Sequence, residues 1–162
     1  MENIEVFKYL TAGEREKVLA NTVERVYRAG DVIFKANAVG NEMYFIETGR
    51  VKIFKVFEGH EITFAEFGPG DGFGEMSLID DFPRSASAAA VTPCKLLSLS
   101  RAAFREMLNK EHEIGAKSLL ALAEIFSKRM RKTDKLLETY HLVNKALITN
   151  EEFRKLYTAI HS

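Results

Sequence analysis

The segment from Phe73 to Ser87 carries the most specific pattern in the chain, Phe-Gly-Glu-Met-Ser-Leu-Ile-Asp-Asp-Phe-Pro-Arg-Ser-Ala-Ser. Glycines occur before it and inside it, so the backbone can turn sharply and expose its N–H groups; they stand at positions 68, 70, 72 and 74. The short apolar run over 75–79 predicts one or two helical turns. The first N–H groups of such a helix, together with its positive dipole end, predict an anion site.

Two charged side chains in this segment indicate which anion is bound. Arg84 follows Pro83, and a guanidinium can bind phosphate oxygens bidentately. Phosphate would repel the carboxylate of Glu75, so a sugar hydroxyl is the partner expected for that group. Phosphate and a sugar hydroxyl together indicate a nucleotide. The alternative is a tight surface turn in which Glu75 and Arg84 only pair with each other.

At these residues the chain resembles the phosphate-binding cassette of the cyclic-nucleotide-binding domain family, which includes the bacterial catabolite activator protein and the regulatory subunits of protein kinase A. The family pattern Phe-Gly-Glu, two residues, Leu, then Pro-Arg-(Ala/Ser/Thr)-Ala is met without a gap. The resemblance implies that Glu75 binds the ribose 2′-OH and Arg84 the cyclic phosphate. It assigns the other phosphate oxygens to the backbone of 74–77 and to Ser85 and Ala86. With the apolar walls and the base contact, the expected ligand-binding residues are Ile53, Phe67, Phe73, Gly74, Glu75, Met76, Ser77, Arg84, Ser85, Ala86 and Thr133.

The base contact is expected from the long C-terminal helix, where the family alignment places Thr133 and Asp134 at the purine edge. A threonine hydroxyl can accept from the exocyclic amine of adenine, whereas an aspartate can accept from the N1–H and N2–H₂ of guanine, which Ser85 could also assist. One helical step of about 100° separates the two residues, so only one of them faces the base. Thr133 lies on the apolar stripe of the helix, which favours cyclic AMP over cyclic GMP.

Composition places the chain among ordinary globular proteins and provides no general attraction for nucleic acid. It has 162 residues, 46% hydrophobic and 28% charged, with a formal net charge of zero. The single cysteine, Cys94, excludes an internal disulfide and fits a reducing, cytoplasmic setting. No basic leader precedes the first helix, and no window reaches the roughly 18 apolar residues of a membrane span. A soluble protein is expected.

Short segments of alternating polarity with glycine turns predict an antiparallel sandwich or roll between residues 22 and 99. The family resemblance extends over about 6–140 and implies a β-roll, a jelly-roll-like double-stranded β-helix. Helices are expected on both sides of it, so the fold class is mainly β with flanking helices and a long C-terminal α-helix. The expected division is 1–110, with the N-terminal helices, the roll and a short helix, and 111–162, with the long helix and a terminal helix.

Capping patterns predict where these helices begin. Thr11 with Glu14 forms a capping-box pattern before the first helix, and Ser100 is the expected N-cap of a helix over 101–109. The long helix is expected over about 111–147. A second capping-box pattern, Thr149 with Glu152, predicts a last helix after a break at 148–150.

One face of the long helix carries apolar residues at alternating steps of three and four, starting at Leu119 and ending at Leu147. This stripe predicts a homodimer through the long helix, and the alternative is that it packs wholly on its own roll and last helix. The basic run 128–132 is read as a solvated helix face rather than a phosphate or partner contact. About twenty residues follow Tyr140, too few for a helix-turn-helix unit, so direct DNA binding is not expected.

Other chemistry has little support in the sequence. The four histidines stand apart, which argues against a metal site, and no Gly-x-Ser-x-Gly elbow surrounds a serine. The function expected is a cyclic-nucleotide sensor that repositions its C-terminal helix for an unidentified downstream protein, with no enzyme activity, no cofactor and no membrane partner. Two alternatives remain open: a degenerate module of the same fold that no longer binds nucleotide, and a β-roll enzyme.

Overall fold

The computed structural model describes residues 4–151, 155, 158 and 159. It confirms the fold class: antiparallel strands form two four-stranded sheets, and helices flank them. The strands are β1 (Thr22–Tyr27), β2 (Val32–Phe34), β3 (Glu42–Thr48), β4 (Val51–Phe57), β5 (His60–Phe67), β6 (Gly72–Phe73), β7 (Ser87–Ala90) and β8 (Cys94–Ser100). The helices are a 3-10 turn (Glu5–Phe7), α1 (Ala12–Leu19), α2 (Met76–Ile79), α3 (Arg101–Lys110) and α4 (His112–Thr149).

The sheets have the strand orders β1-β8-β3-β6 and β2-β7-β4-β5, so strands distant in sequence become neighbours. Alternation along the chain places one face of each sheet toward the other. The core between them contains buried side chains of both sheets: Tyr44, Ile46, Val51, Phe73, Ala88, Ala90, Cys94 and Leu96. Partly buried residues pack against this core: Tyr27, Ile33, Phe34, Ile53 and Phe67.

The predicted helix starts at Thr11 and Ser100 are confirmed. The Thr11 N–H donates to Glu14 Oε2 at 2.7 Å, and the Glu14 N–H donates to Thr11 Oγ1 at 3.3 Å, which completes the capping box. The Ser100 hydroxyl accepts from the Ala103 N–H at 3.1 Å. At the other end, the Thr149 hydroxyl donates to the Lys145 carbonyl, and Glu152, its expected capping-box partner, lies outside the described residues.

The chain folds as two compact units, Met1–Leu122 and Ala123–Ser162. The first unit contains the two sheets, α1–α3 and the first turns of α4, and the second contains the remaining turns of α4. The division expected at 110/111 stays a prediction. Among the described residues, no helix is both long enough and apolar enough to cross a bilayer.

Candidate functional site

A recess in the first unit lies against the segment that the sequence singled out. We call it the cassette recess, and its lining residues are Phe34, Ile53, Phe73, Gly74, Glu75, Met76, Ser77, Asp80, Phe82, Pro83, Arg84, Ser85 and Ala86. Its empty space is about 520 Å³, part of it open to solvent.

The floor of the recess is the single turn of α2, and Gly74 makes the turn possible. Gly74 has a φ of 75°, and a Cβ added there would meet Arg84 Nη1 at 2.6 Å. Glycine is therefore needed both for the backbone conformation and for the approach of the guanidinium. The Ser77 N–H donates to the Gly74 carbonyl at 3.2 Å and the Leu78 N–H to the Glu75 carbonyl at 3.0 Å, so the predicted short helix is confirmed.

Arg84 is fixed by its main chain and by its side chain. Its N–H donates to the Ala38 carbonyl at 2.8 Å, and its carbonyl accepts from the Asn37 N–H at 2.9 Å. Nη1 donates to the Gly74 carbonyl at 3.1 Å and Nη2 to the Glu42 carbonyl at 2.7 Å. Only 6% of the residue surface is exposed. The guanidinium is thus held in a buried position by two main-chain acceptors.

The Arg84 guanidinium still has hydrogen-bonding capacity. A guanidinium carries five N–H donors, one on Nε and two on each terminal nitrogen. Two are directed at the carbonyls of Gly74 and Glu42, and the buried Nε finds no hydrogen-bond acceptor in the part of the chain that the structure describes. Since a buried charged donor without a partner is costly, this nitrogen suits an anionic ligand.

Burial and the neighbouring carboxylates shift the pKa of Arg84 in opposite directions. Burial is the main cause and lowers the pKa of the guanidinium, whereas the Glu42 and Glu75 carboxylates oppose this shift. Burial and the hydrogen bond from the Tyr44 hydroxyl to Glu42 Oε1 raise the pKa of Tyr44, so this phenol stays protonated as a donor. Arg84 therefore remains cationic beside a neutral tyrosine.

Glu75 is buried at the start of α2, with 4% of its surface exposed. The alternative of a surface turn closed by a Glu75–Arg84 pair does not fit this arrangement. Both residues are buried, and the terminal nitrogens of Arg84 donate to main-chain carbonyls. Asp80 is the second carboxylate of the lining, and its Oδ1 accepts the Phe82 N–H at 3.1 Å.

Most of the residues expected at the site come together in the cassette recess. The lining includes Ile53, Phe73, Gly74, Glu75, Met76, Ser77, Arg84, Ser85 and Ala86. Phe67 is not in this lining; it pairs with the fully buried Val51 across β4 and β5 and packs against the core. Paired residues share one face of a sheet, so Phe67 lies on the core side.

Thr133 belongs to the second unit, on α4, with an exposed side chain. Its hydroxyl donates to the Arg129 carbonyl of the same helix at 3.1 Å. That bond uses the hydroxyl hydrogen and leaves the oxygen lone pairs as acceptors. The ligand contact expected for Thr133 stays a prediction.

The sequence did not identify several residues that shape the site. Phe34 lies under the guanidinium, with its ring centroid 4.0 Å from Arg84 Cζ. A Cβ added to Gly40 would collide with the Ser77 hydroxyl and with Arg84 Nε and Cζ. Neither residue belongs to a recognisable motif, because both reach the site through contacts between distant segments.

A second arginine, Arg101 at the start of α3, joins the cassette to the loop before β3. Its Nε donates to the Ser77 carbonyl, its Nη2 donates to the Gly40 carbonyl at 2.7 Å, and its Nη1 pairs with Asp81. Its own N–H donates to the Asn41 carbonyl at 2.6 Å. Every side-chain nitrogen of Arg101 therefore has a partner within the protein.

Comparison with known proteins places this site in a family. The family model described as "Cyclic nucleotide-binding domain" matches residues 24–111, which include the whole cassette. The chain is 33% identical over 135 residues to a cyclic AMP receptor protein of Thermus thermophilus, covering 83% of this chain and 61% of the relative. It is 32% identical over 108 residues to a cAMP-dependent protein kinase regulatory subunit of Pyricularia oryzae, covering 67% of this chain and 27% of that subunit.

Solved structures agree in fold. The crystal structure of Thermus thermophilus catabolite activator protein superposes with a TM-score of 0.77 at 33% identity, covering 85% of this chain and 63% of that one. The chain thus spans about three fifths of its bacterial relative and about a quarter of the kinase subunit.

Proposed function

The chain belongs to the cyclic nucleotide-binding domain family, as the resemblance at residues 73–87 indicated, and we propose that it is a sensor for cyclic AMP. In this proposal the cassette recess binds the ligand, Arg84 takes the cyclic phosphate and Glu75 the ribose 2′-OH. The matched relatives are named as a receptor protein and as regulatory subunits, which supports a regulatory role rather than an enzymatic one.

The observation that carries the proposal is the buried Arg84 guanidinium with an unpaired Nε. Two main-chain carbonyls hold the group and do not neutralise its charge. A phosphate oxygen bound at Nε would supply both the missing acceptor and the counter-charge, and charge-assisted hydrogen bonds are the strong class in proteins. A buried cationic donor without an acceptor, in a recess of the cassette, is therefore best explained by an anionic ligand.

The charge balance of the lining favours a cyclic phosphodiester over a phosphate monoester. Among the residues that line the recess, Arg84 is the one cation, and Glu75 and Asp80 are carboxylates. A 3′,5′-cyclic phosphate has one negative charge, whereas a 5′-monophosphate carries about −1.5 to −2 at pH 7. The additional charge of the monoester would have no cation to meet in this lining and would face two carboxylates. Cyclic AMP is thus preferred over linear 5′-AMP.

The preference for adenine rests on Thr133. Its hydroxyl hydrogen is directed at the Arg129 carbonyl, so the oxygen can accept the exocyclic N–H₂ of adenine but cannot donate to O6 of guanine. In the ligand-bound state, we propose, Thr133 meets the purine edge, and α4 repositions and presents a new surface to a downstream protein.

Competition binding with cyclic AMP, cyclic GMP and 5′-AMP tests this function. We expect cyclic AMP to bind best and 5′-AMP to bind at least about tenfold more weakly, a difference that about 1.4 kcal/mol of unfavourable charge produces. Thr133→Ala should weaken cyclic AMP binding by roughly 0.5–1.5 kcal/mol, the net value of a neutral hydrogen bond. A preference for cyclic GMP that Asp134→Ala removes would overturn the adenine assignment. Absence of binding by all three ligands would refute the function.

We also propose that two copies associate through α4. Apolar side chains of the stripe are largely exposed on the second unit; Met130, Leu137 and Tyr140 each have about two thirds of their surface exposed, at 65%, 66% and 66%. Apolar residues at steps of three and four are the pattern of a helix pair, so a second α4 is the partner that this face fits. Light scattering should give a dimer mass, and a monomer at high concentration with and without cyclic AMP would exclude this assembly.

A further inference from the structure

The Arg84 guanidinium lies over the aromatic ring of Phe34. Phe34 ends β2, and its ring centroid lies 4.0 Å from Arg84 Cζ. β2 pairs with β7, the strand that comes after the cassette, with Phe34 opposite Ala88. The ring therefore reaches Arg84 from a different part of the chain. Stacking of a cation on an aromatic face is strongest where both are shielded from water, and Arg84 is buried.

The Phe34 ring and the carbonyls of Gly74 and Glu42 together restrict the position of the guanidinium. The carbonyls of Gly74 and Glu42 accept from Nη1 and Nη2, which holds the two terminal nitrogens in place. The Phe34 ring, with its centroid 4.0 Å from Cζ, restricts movement of the group away from these carbonyls. These three contacts together restrict the direction of the remaining donors, including the unpaired Nε–H. A planar fork binds phosphate oxygens well only when its plane is aligned with them.

Phe34 is itself held by a small aromatic cluster. Its ring centroid lies 5.9 Å from that of Tyr44 and 5.9 Å from that of Phe73, and the Tyr44 and Phe73 rings stack at 5.3 Å. The Tyr44 hydroxyl donates to Glu42 Oε1 at 2.6 Å, and the carbonyl of Glu42 accepts from Arg84. Phe34 and the Glu42 carbonyl, which both contact the guanidinium, are thus connected to each other through Tyr44.

We propose that Phe34 is a positioning residue of the phosphate site: its ring sets the plane of the Arg84 guanidinium before the ligand arrives. The inference rests on the proposed role of Arg84 and adds a residue that acts through it. Because the guanidinium is aligned in advance, the ligand does not have to order a flexible side chain, a cost that otherwise reduces affinity.

Replacing the ring while keeping an apolar side chain tests this role. Phe34→Leu should raise the Kd for cyclic AMP by about five- to thirtyfold, the range expected for a shielded cation–π contact. Phe34→Tyr keeps the ring face and should stay within about twofold of the wild type. Phe57→Leu makes the same change at an exposed site of β4 outside the recess lining, and it should leave the Kd unchanged. If Phe34→Leu does not fold, Phe34→Met replaces it as a ring-free side chain of similar volume.

The decisive measurement repeats the ring removal in the Arg84→Ala background, with cyclic AMP binding followed by NMR titration. If Phe34 acts through Arg84, Phe34→Leu should cost less than about twofold there, because the group that it aligns is gone. An equal loss in both backgrounds would show direct contact with the ligand or mere packing and would overturn the inference. So would equal losses for Phe34→Leu and Phe34→Tyr.

The result also separates this inference from the proposed function. If the wild type binds cyclic AMP and Arg84→Ala weakens it, the phosphate role of Arg84 stands whatever Phe34 does. If Phe34→Leu then binds as the wild type does, only the positioning role fails. A wild type without affinity for cyclic AMP removes both.

Discussion

Arg84 and Arg101 are both enclosed by the first unit, and both donate to main-chain carbonyls near the cassette, yet their partners differ. The three side-chain nitrogens of Arg101 bind the Ser77 carbonyl, the Gly40 carbonyl and Asp81. The terminal nitrogens of Arg84 bind two carbonyls, and an aromatic face lies against its guanidinium. Its Nε has no hydrogen-bond partner among the residues that the structure describes. All three side-chain nitrogens of Arg101 therefore bind protein atoms, whereas Arg84 Nε remains without an acceptor among the described residues.

This difference separates a structural arginine from one available for a ligand. A buried cation that only stabilised the fold would be expected to use its donors within the protein, as Arg101 does. The Arg84 guanidinium is buried, so its desolvation costs free energy, and its Nε–H has no acceptor among the described residues. This arrangement suits an anionic ligand. Replacing Arg84 should therefore reduce mainly the affinity for the ligand, whereas replacing Arg101 should reduce mainly the stability of the fold.

The largest effect is expected from Arg84→Ala on ligand affinity. The Kd for cyclic AMP should rise at least about a hundredfold, because two charge-assisted hydrogen bonds of roughly 1.5 kcal/mol each are lost. The ligand-free free energy of unfolding should change by no more than roughly 1–2 kcal/mol, because the lost bonds to Gly74 and Glu42 are offset by removal of a buried charge. Calorimetric titration and urea denaturation measure the two quantities. Arg84→Lys is the matched control: it keeps the charge without the planar fork, and intermediate affinity is expected.

Arg101→Ala should show the reverse balance. The free energy of unfolding should fall by roughly 2–4 kcal/mol, chiefly from the lost bonds to the carbonyls of Ser77 and Gly40. Asp81 is 81% exposed on its side chain, so its ion pair adds little. The loss of affinity should be smaller than for Arg84→Ala. If Arg101→Ala weakened binding more than Arg84→Ala and left stability intact, the assignment of roles would be reversed.

Gly40→Ala places a new side-chain atom against Arg84. Its carbonyl accepts from Arg101 and would remain, whereas the added Cβ would lie 2.5 Å from Arg84 Nε and 2.8 Å from Cζ. The guanidinium must move, and we expect about tenfold weaker cyclic AMP binding, the equivalent of one misplaced charge-assisted bond. Gly68→Ala is the control, because no atom lies within 4 Å of its added Cβ. Unchanged affinity in Gly40→Ala would show that the position of Arg84 is not critical.

The smallest effect concerns a half-buried ion pair between Glu14 of α1 and Lys117 near the start of α4. The hydrogen bond from Lys117 Nζ, at 2.7 Å, is the main cause that lowers the pKa of Glu14 to about 2 from 4.5. Since the folded pKa lies below the unfolded one, the contribution to stability is complete above pH 4.5 and is lost as the pH falls toward 2. Glu14→Gln keeps the capping-box pattern and removes the charge. Its Tm should lie slightly below that of the wild type at pH 7 and converge with it on acidification; a difference that persists at low pH would contradict this assignment.

The sequence was sufficient where the signal is local. The capping residues Thr11 and Ser100 act within three residues, and their predicted bonds are present. The segment 73–87 likewise contains its own turn glycines and charged groups, and most of its predicted site residues line one recess. Residue type and short spacing are enough when the partners lie in the same turn.

The sequence was not sufficient where main-chain atoms are the partners, or where strand register determines the face that a side chain occupies. The acceptors of Arg84 and Arg101 are carbonyls, which every residue has, so no pattern of residue types marks them. The ligand contact expected for Phe67 stays a prediction; the register pairs Phe67 with Val51, and β4 and β5 change register between Ile53 and Phe54. Side chains alternate between the faces of a strand, so one residue of register determines which face a side chain occupies.

The direct test of the central claim is the ¹⁵N–¹H NMR signal of the arginine Nε–H groups with and without saturating cyclic AMP. Arg84→Lys and Arg101→Lys assign the two signals by their disappearance. Because Arg84 Nε has no acceptor among the described residues and Arg101 Nε donates to Ser77, the Arg84 signal should shift and gain protection from exchange while the Arg101 signal stays. A bound ligand that leaves the Arg84 signal in place would contradict the account.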